Sequence, residues 1–131
     1  MGLLRIRPAY GSGDQIRTVG QGHRVLSVAN TTAISVKAGP GVIYAIHAIN
    51  TNAAVRYLKV YDSLKPVTVG TDTPKHTFAI PGATTGAGFT FDVGCGIEFL
   101  LGIQYGITTG VADSDTAAPA ANEILVNSVY V

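Results

Sequence analysis

Hydrophobic and polar positions alternate in short runs along this chain, and Val, Ile, Thr, Tyr and Phe dominate the runs. No window of about 11 residues keeps apolar side chains three and four apart without Gly, Pro or a β-branched run intervening, so the pattern predicts no helix. The breaks between the runs hold Gly, Pro, Asn, Asp and Ser, which are the residues of turns. The chain therefore reads as about eight strands.

Segments 24–29 and 33–38 flank Asn30-Thr-Thr, and Ala38-Gly-Pro-Gly41 makes a firm turn. Segment 42–49 is apolar on both faces, with Val42, Tyr44, Ile46 and Ala48 on one and Ile43, Ala45, His47 and Ile49 on the other. Such a strand belongs in the middle of a sheet or against a partner. Asn50-Thr-Asn-Ala53 turns the chain into 55–62, where Val55, Tyr57, Lys59 and Tyr61 oppose Leu58 and Val60. A longer connection, 63–73, carries Pro66, and Val67-Thr-Val69 within it suits a brief edge pairing. Segments 75–80, 89–93, 97–101 and 103–109 follow, then a long loop of polar and small residues at 112–121, and a closing strand at 123–131. Short strands, glycine-rich turns and long cross-connections predict an all-β fold, a two-sheet jelly-roll-like sandwich, with a small barrel as the alternative. A closing strand of this kind is expected inside a sheet.

Residues 1–22 break the alternation. They hold Pro8, five glycines and three arginines, a composition that cannot close a core. The expected organisation is an extended N-terminal arm over 1–22 and a β-sandwich domain over 23–131.

Composition adds one anomaly. Charged residues make up 13% of the 131 residues, against about a quarter in an ordinary soluble domain, and mean hydropathy is positive. A membrane span does not explain it, since a spanning helix needs about 20 apolar residues. The best window, 93–103, is short, contains Glu98 and is interrupted by three glycines. No hydrophobic signal region opens the chain, and a single cysteine excludes an internal disulfide, so synthesis in a reducing cytoplasm is expected. The few charges are sorted. Residues 1–40 carry Arg5, Arg7, Arg17, Arg24 and Lys37 against Asp14, while residues 80–131 carry Asp92, Glu98, Asp113, Asp115 and Glu123 with no Lys or Arg. Sparse charge and two-sided apolar strands describe a surface partly covered by other protein, and sorted charge suits head-to-tail or scaffold contacts.

Catalytic chemistry finds little support. His23, His47 and His76 have no metal-ligand spacing to one another or to Cys95, and no signature surrounds Cys95. His47, inside an apolar strand, reads as a core or interface imidazole, and His23 and His76, at strand starts, read as solvated. The glycine-rich stretches at 11–13, 20–22 and 82–88 lack the Gly-Lys-Ser/Thr and the following helix of a phosphate loop. Asp113-Ser-Asp115 lacks the remaining ligands of a calcium loop and reads as solvated. Tyr44, Tyr57 and Tyr61 offer a stacking platform for nucleic acid, but only Arg56 and Lys59 stand near them, which disfavours that function. No enzyme activity, metal or cofactor is expected.

Three stretches resemble small structural proteins of tailed bacteriophages: Val42-Ile-Tyr-Ala-Ile-His-Ala-Ile-Asn-Thr-Asn-Ala-Ala-Val-Arg-Tyr-Leu-Lys-Val-Tyr-Asp62, Thr73-Pro-Lys-His-Thr-Phe-Ala-Ile-Pro81, and Gly106-Ile-Thr-Thr-Gly through Asn122-Glu-Ile. The likeness covers roughly 42–131 and leaves out the first 22 residues. It implies a virion protein with a jelly-roll sandwich, and among virion roles a capsid cement or decoration protein. Such a protein sits on the outer capsid surface at capsomer junctions, commonly as a homotrimer, with the major capsid protein and itself as partners. Arg5, Arg7, Tyr10 and Arg17 in the arm, with Tyr44 and Tyr57, are the candidate capsid or subunit contacts, chosen on composition. The alternative is a receptor- or glycan-binding module of a tail or head fibre, with Tyr10, Tyr105, Asp113 and Asp115 as its candidates.

Overall fold

In a computed structural model, which describes residues 19–131, the chain forms two four-stranded antiparallel sheets packed face to face, with no helix among the described residues. The strands are β1 (Gln21–Leu26), β2 (Ile34–Lys37), β3 (Gly41–Asn50), β4 (Arg56–Asp62), β5 (His76–Ile80), β6 (Ala87–Phe99), β7 (Ile103–Thr108) and β8 (Ile124–Tyr130). One sheet has the order β1-β8-β3-β6 and the other β2-β7-β4-β5. Every connection except β4–β5 crosses between the sheets. That order is the eight-stranded jelly roll, and it replaces the barrel alternative. The closing strand β8 does lie inside its sheet, between β1 and β3. Strand β1 begins at Gln21, inside the last two residues of the segment read as an arm.

Ile43, Ile46, Ala48, Ile124 and Val126 from the first sheet meet Leu58, Val60, Ile80, Ile103, Tyr105 and Ile107 from the second. Phe78 of β5 stacks on Phe89 of β6 and packs at a tilt against Phe91, with ring centroids 5.8 and 5.2 Å apart, and these rings close the flank of the core.

Three sequence expectations shift. Segments 89–93 and 97–101 are one strand, β6, which carries a bulge: residues 93–96 stand opposite the single residue Tyr44, between the pairs Ala45–Asp92 and Ile43–Ile97. Gly96 makes it possible, with φ +81° and the Val42 side chain occupying the place of a Cβ. Tyr44 is also the extra residue against β8, so the phase of β3 slips there, and Ile43 and Ile46 both point inward. The unbroken alternation read from the sequence fails at that residue. Val67-Thr-Val69 forms no strand: the Val67 N–H donates to the Gln104 side chain, and Val69 is buried.

Gly88 sits so close to β3 that a Cβ there would collide with the Ala48 carbonyl oxygen, whereas a Cβ on Gly94 meets open space. Gly88→Ala should therefore lower the unfolding free energy by about 1–3 kcal/mol in urea titration, and Gly94→Ala should leave it nearly unchanged.

Candidate interaction surface

Several residues of the three stretches quoted above lock turns and strand ends, and Asn50, Thr51, Asn52, Arg56 and Glu123 meet at one end of the sandwich. Asn50 is fully buried. Its side-chain amide donates to the Ala54 and Ile80 carbonyls at 2.9 and 3.1 Å, and its Oδ1 accepts the Asn52 N–H. Asn52 Nδ2 donates to Glu123 Oε1, the Arg56 guanidinium pairs with Glu123 Oε2, and the Thr51 backbone and hydroxyl both donate to the Glu123 carbonyl. Ser27 Oγ accepts the N–H groups of Glu123 and Ile124 and donates to the Ala120 carbonyl, so β1 is tied to the same corner. At the opposite end Asp62 accepts the N–H groups of Leu100, Leu101 and Gly102 and lies 3.6 Å from Lys75 Nζ, fixing the β6–β7 turn. Burial alone would raise the Asp62 carboxyl, but those three N–H groups and Lys75 outweigh it and hold it below the usual value.

The two outer faces of the sandwich differ. Over the β2-β7-β4-β5 sheet, connections 63–75 and 109–123 fold back as a third layer. Every residue of β7 is buried, and on β4 the outward-facing Lys59 and Tyr61 are 0% and 1% exposed. Gln104 spans the gap, its amide donating to the Ser63 and Lys65 carbonyls while its oxygen accepts from Val67. Lys59 Nζ donates to the Ala112 carbonyl, and Gly70 packs against Ser114 and Thr116. This removes the basic partners of the nucleic-acid platform: Lys59 lies under the 109–123 loop, and Arg56 is engaged with Glu123.

The β1-β8-β3-β6 sheet has no such cover among the described residues. Register places its outward side chains in three rows across the four strands: Gly22, Val129, Ala45 and Asp92; Arg24, Asn127, His47 and Thr90; Leu26, Leu125, Ile49 and Gly88. Leu26 and Val129 are 37% and 41% exposed. His47 is exposed, with its Nδ1 2.9 Å from Thr90 Oγ1, so it belongs to this surface and not to the core. Beside it, His47, Ile49, Thr85, Gly86, Gly88 and Thr90 line an open groove of about 540 Å³.

The structure does not gather the candidate contact residues. Tyr44 lies against Gly96 at the β3 bulge, and Tyr57, half-buried on β4, belongs to the covered sheet on the other side. Arg5, Arg7, Tyr10 and Arg17 lie outside the described residues. Of the alternative set, Tyr105 is 0% exposed in the core and unable to stack on a ligand; Tyr10 lies outside the described residues, and only the two aspartates stay near the surface. Sequence reading missed Arg24, Leu26, Leu125 and Val129, since nothing but strand order reveals that they share one face.

His23 also departs from expectation. It faces the core from β1, opposite Ser128, with Tyr105 and Tyr130 edge-on at 6.2 and 6.5 Å, and burial holds its imidazole below the usual value. Among the described residues no three His, Cys, Asp or Glu side chains group to hold a metal ion, and no helix is long and apolar enough to cross a membrane.

Fold and surface together define, among the described residues, an eight-stranded jelly roll with one self-covered and one open sheet. Comparison with known proteins returns no matching family, no matching curated protein and no matching solved structure.

The two buried tyrosines set an alkaline limit. Burial pushes the hydroxyls of Tyr61 and Tyr105 up to about 12, with Asp113 and Asp72 adding to the effect at Tyr61 and Ser128 slightly offsetting it at Tyr105. Below pH 10 both groups stay protonated in either state and contribute no pH dependence. Between 10 and 12 the unfolded chain releases protons that the folded one keeps, so stability falls by about 1.4 kcal/mol per pH unit for each tyrosine. Lys59 acts earlier and oppositely: burial lowers its value despite Asp115 and Asp113, so the folded chain sheds the proton first and stability rises toward pH 10.5. In denaturant titrations across this range, Tyr61→Phe and Tyr105→Phe should each remove one share of the alkaline slope.

Proposed function

We propose that this chain is a structural protein of a tailed-phage virion, a decoration protein that binds the outer capsid shell at capsomer junctions and stabilises it. One observation carries the reading: the long connections cover one sheet and leave the other open. The twelve positions of the three full rows hold only two formal charges, Arg24 and Asp92, and Glu98 lies beyond them, past the bulge. A sheet face of that composition, with Leu26, Leu125, Ile49 and Val129 unprotected, suits contact with protein.

The resemblance over 42–131 supplies the virion setting, and the jelly roll fits it. The major capsid protein is the proposed partner, together with further copies of the chain, whose number the resemblance puts at three. Arg5, Arg7, Tyr10 and Arg17, which lie outside the described residues, are the proposed shell contacts, chosen on composition.

Addition of purified protein to expanded shells that lack it should give saturable binding and raise the temperature at which the shells break. Removal of residues 1–18 should weaken that binding. Shells that neither bind the protein nor gain heat resistance would overturn the proposal, and binding to cells or glycans without shells would favour the fibre module instead.

A further inference from the structure

We infer that the open β1-β8-β3-β6 face is self-complementary and that its occupant is a second copy of the same face. The inference concerns the partner on this one surface and does not require the capsid reading.

Register carries it. Let a two-fold axis lie in the contact plane, parallel to the strands. It reverses strand order, so β1 of one copy crosses β6 of the other and β8 crosses β3, while each row stays over the same row. In the apolar row, Leu125 then meets the other copy's Ile49, and Leu26 meets Gly88. Leu26 is an exposed knob on one edge strand. Gly88 is a position without a side chain on the other, where even a methyl group collides with β3, and it opens into the groove beside Ile49. Knob and groove lie in one row at opposite edges, which is the arrangement that two-fold pairing needs.

The polar row follows the same rule. His47 meets Asn127 twice over, a donor–acceptor match in either tautomer of the imidazole. Arg24 comes over Thr90, with Asp92 one row away, a displacement of about 7 Å along a strand and within reach of an arginine. The two charges within the three rows are thus opposite in sign and stand on opposite edge strands, so a two-fold places each near its counterpart. Rotation of that axis by a modest angle produces the usual crossing of about 30° between aligned sheets.

Four strands by three rows cover roughly 19 Å by 20 Å. That is small beside the about 800 Å² per partner of a standard interface, so the pair should be weak and concentration-dependent. The number of copies favoured by this face is two, not the three of the resemblance.

The test is the mass of the 131-residue chain in solution, without shells, by sedimentation velocity over a wide concentration range. A monomer–dimer equilibrium is expected. Leu26→Asp should leave monomer only, and Arg24→Asp or Asp92→Arg should each weaken pairing by about tenfold, with the double charge exchange recovering most of the loss. All three positions are exposed, and thermal unfolding curves matching the parent chain will show that each variant is folded. A chain that stays monomeric at every concentration overturns the inference, as does a trimer indifferent to these substitutions or a double variant no better than the singles. Dimerisation that emerges only after removal of residues 1–18 would overturn it by giving the face to that segment. Loss of shell binding by Leu26→Asp in a monomeric protein would overturn it by giving the face to the capsid.

Discussion

The arrangement of this molecule depends on how two long connections satisfy their backbone. Segments 63–75 and 109–123 have few strand partners of their own, and their polar groups need hydrogen bonds once they leave water. Side chains of the β2-β7-β4-β5 sheet provide them. Gln104 makes three bonds to the first connection, and Lys59 reaches the second at Ala112. The second connection also pins itself, through Thr109 to Ala117 and Thr108 to Gly110. Without these anchors the connections would have no reason to lie on that sheet, and both faces of the sandwich would be alike. With them, one sheet becomes the middle of three layers and the other remains a surface.

Much of the architecture was legible because strands announce themselves by period and turns by residue type. The all-β class, the sandwich and the interior position of β8 all follow from such local signals. Legibility ended where local pattern and tertiary pairing diverge. Tyr44 continues the alternation of its neighbours in sequence, yet pairing with two strands makes it a bulge and reverses the facing of Ile46. Gly94-Cys-Gly96 looks like a turn between two strands, but the backbone freedom of Gly96 lets one strand run through it. Lys59 looks like a surface charge because lysine usually is one. Only the fold-back of a loop some fifty residues later buries it, and no local signal records that event.

The surface was hardest to read, for a related reason. The three arginines and one tyrosine chosen from the first 22 residues lie outside the described residues, and Tyr44 and Tyr57 fall on different sides of the sandwich. Meanwhile Arg24, Leu26, Leu125 and Val129 look ordinary one at a time, and become a surface only when β1 and β8 are laid beside β3. The resemblance motifs, by contrast, have a physical role: Asn50, Asn52, Arg56, Glu123 and Asp62 hold turns and corners. They maintain a shape on which a contact surface is carried, and the open face contains few of them.

The place of β8 has a consequence for how the domain comes into being. This strand is the last of the eight along the chain, yet it sits between β1 and β3 and is the sole sheet neighbour of β1 among the described residues. Among the described strands β1 is made first, and its partner follows only after about a hundred residues more have been added. Neither β1 nor one side of β3 can settle while the ribosome still holds residues 124–130, so closure of the sandwich waits for the end of this segment's synthesis. Until then a sparsely charged chain carries β1 and one edge of β3 unpaired, and the nascent protein, rather than the finished one, is the form more exposed to aggregation and to chaperone capture.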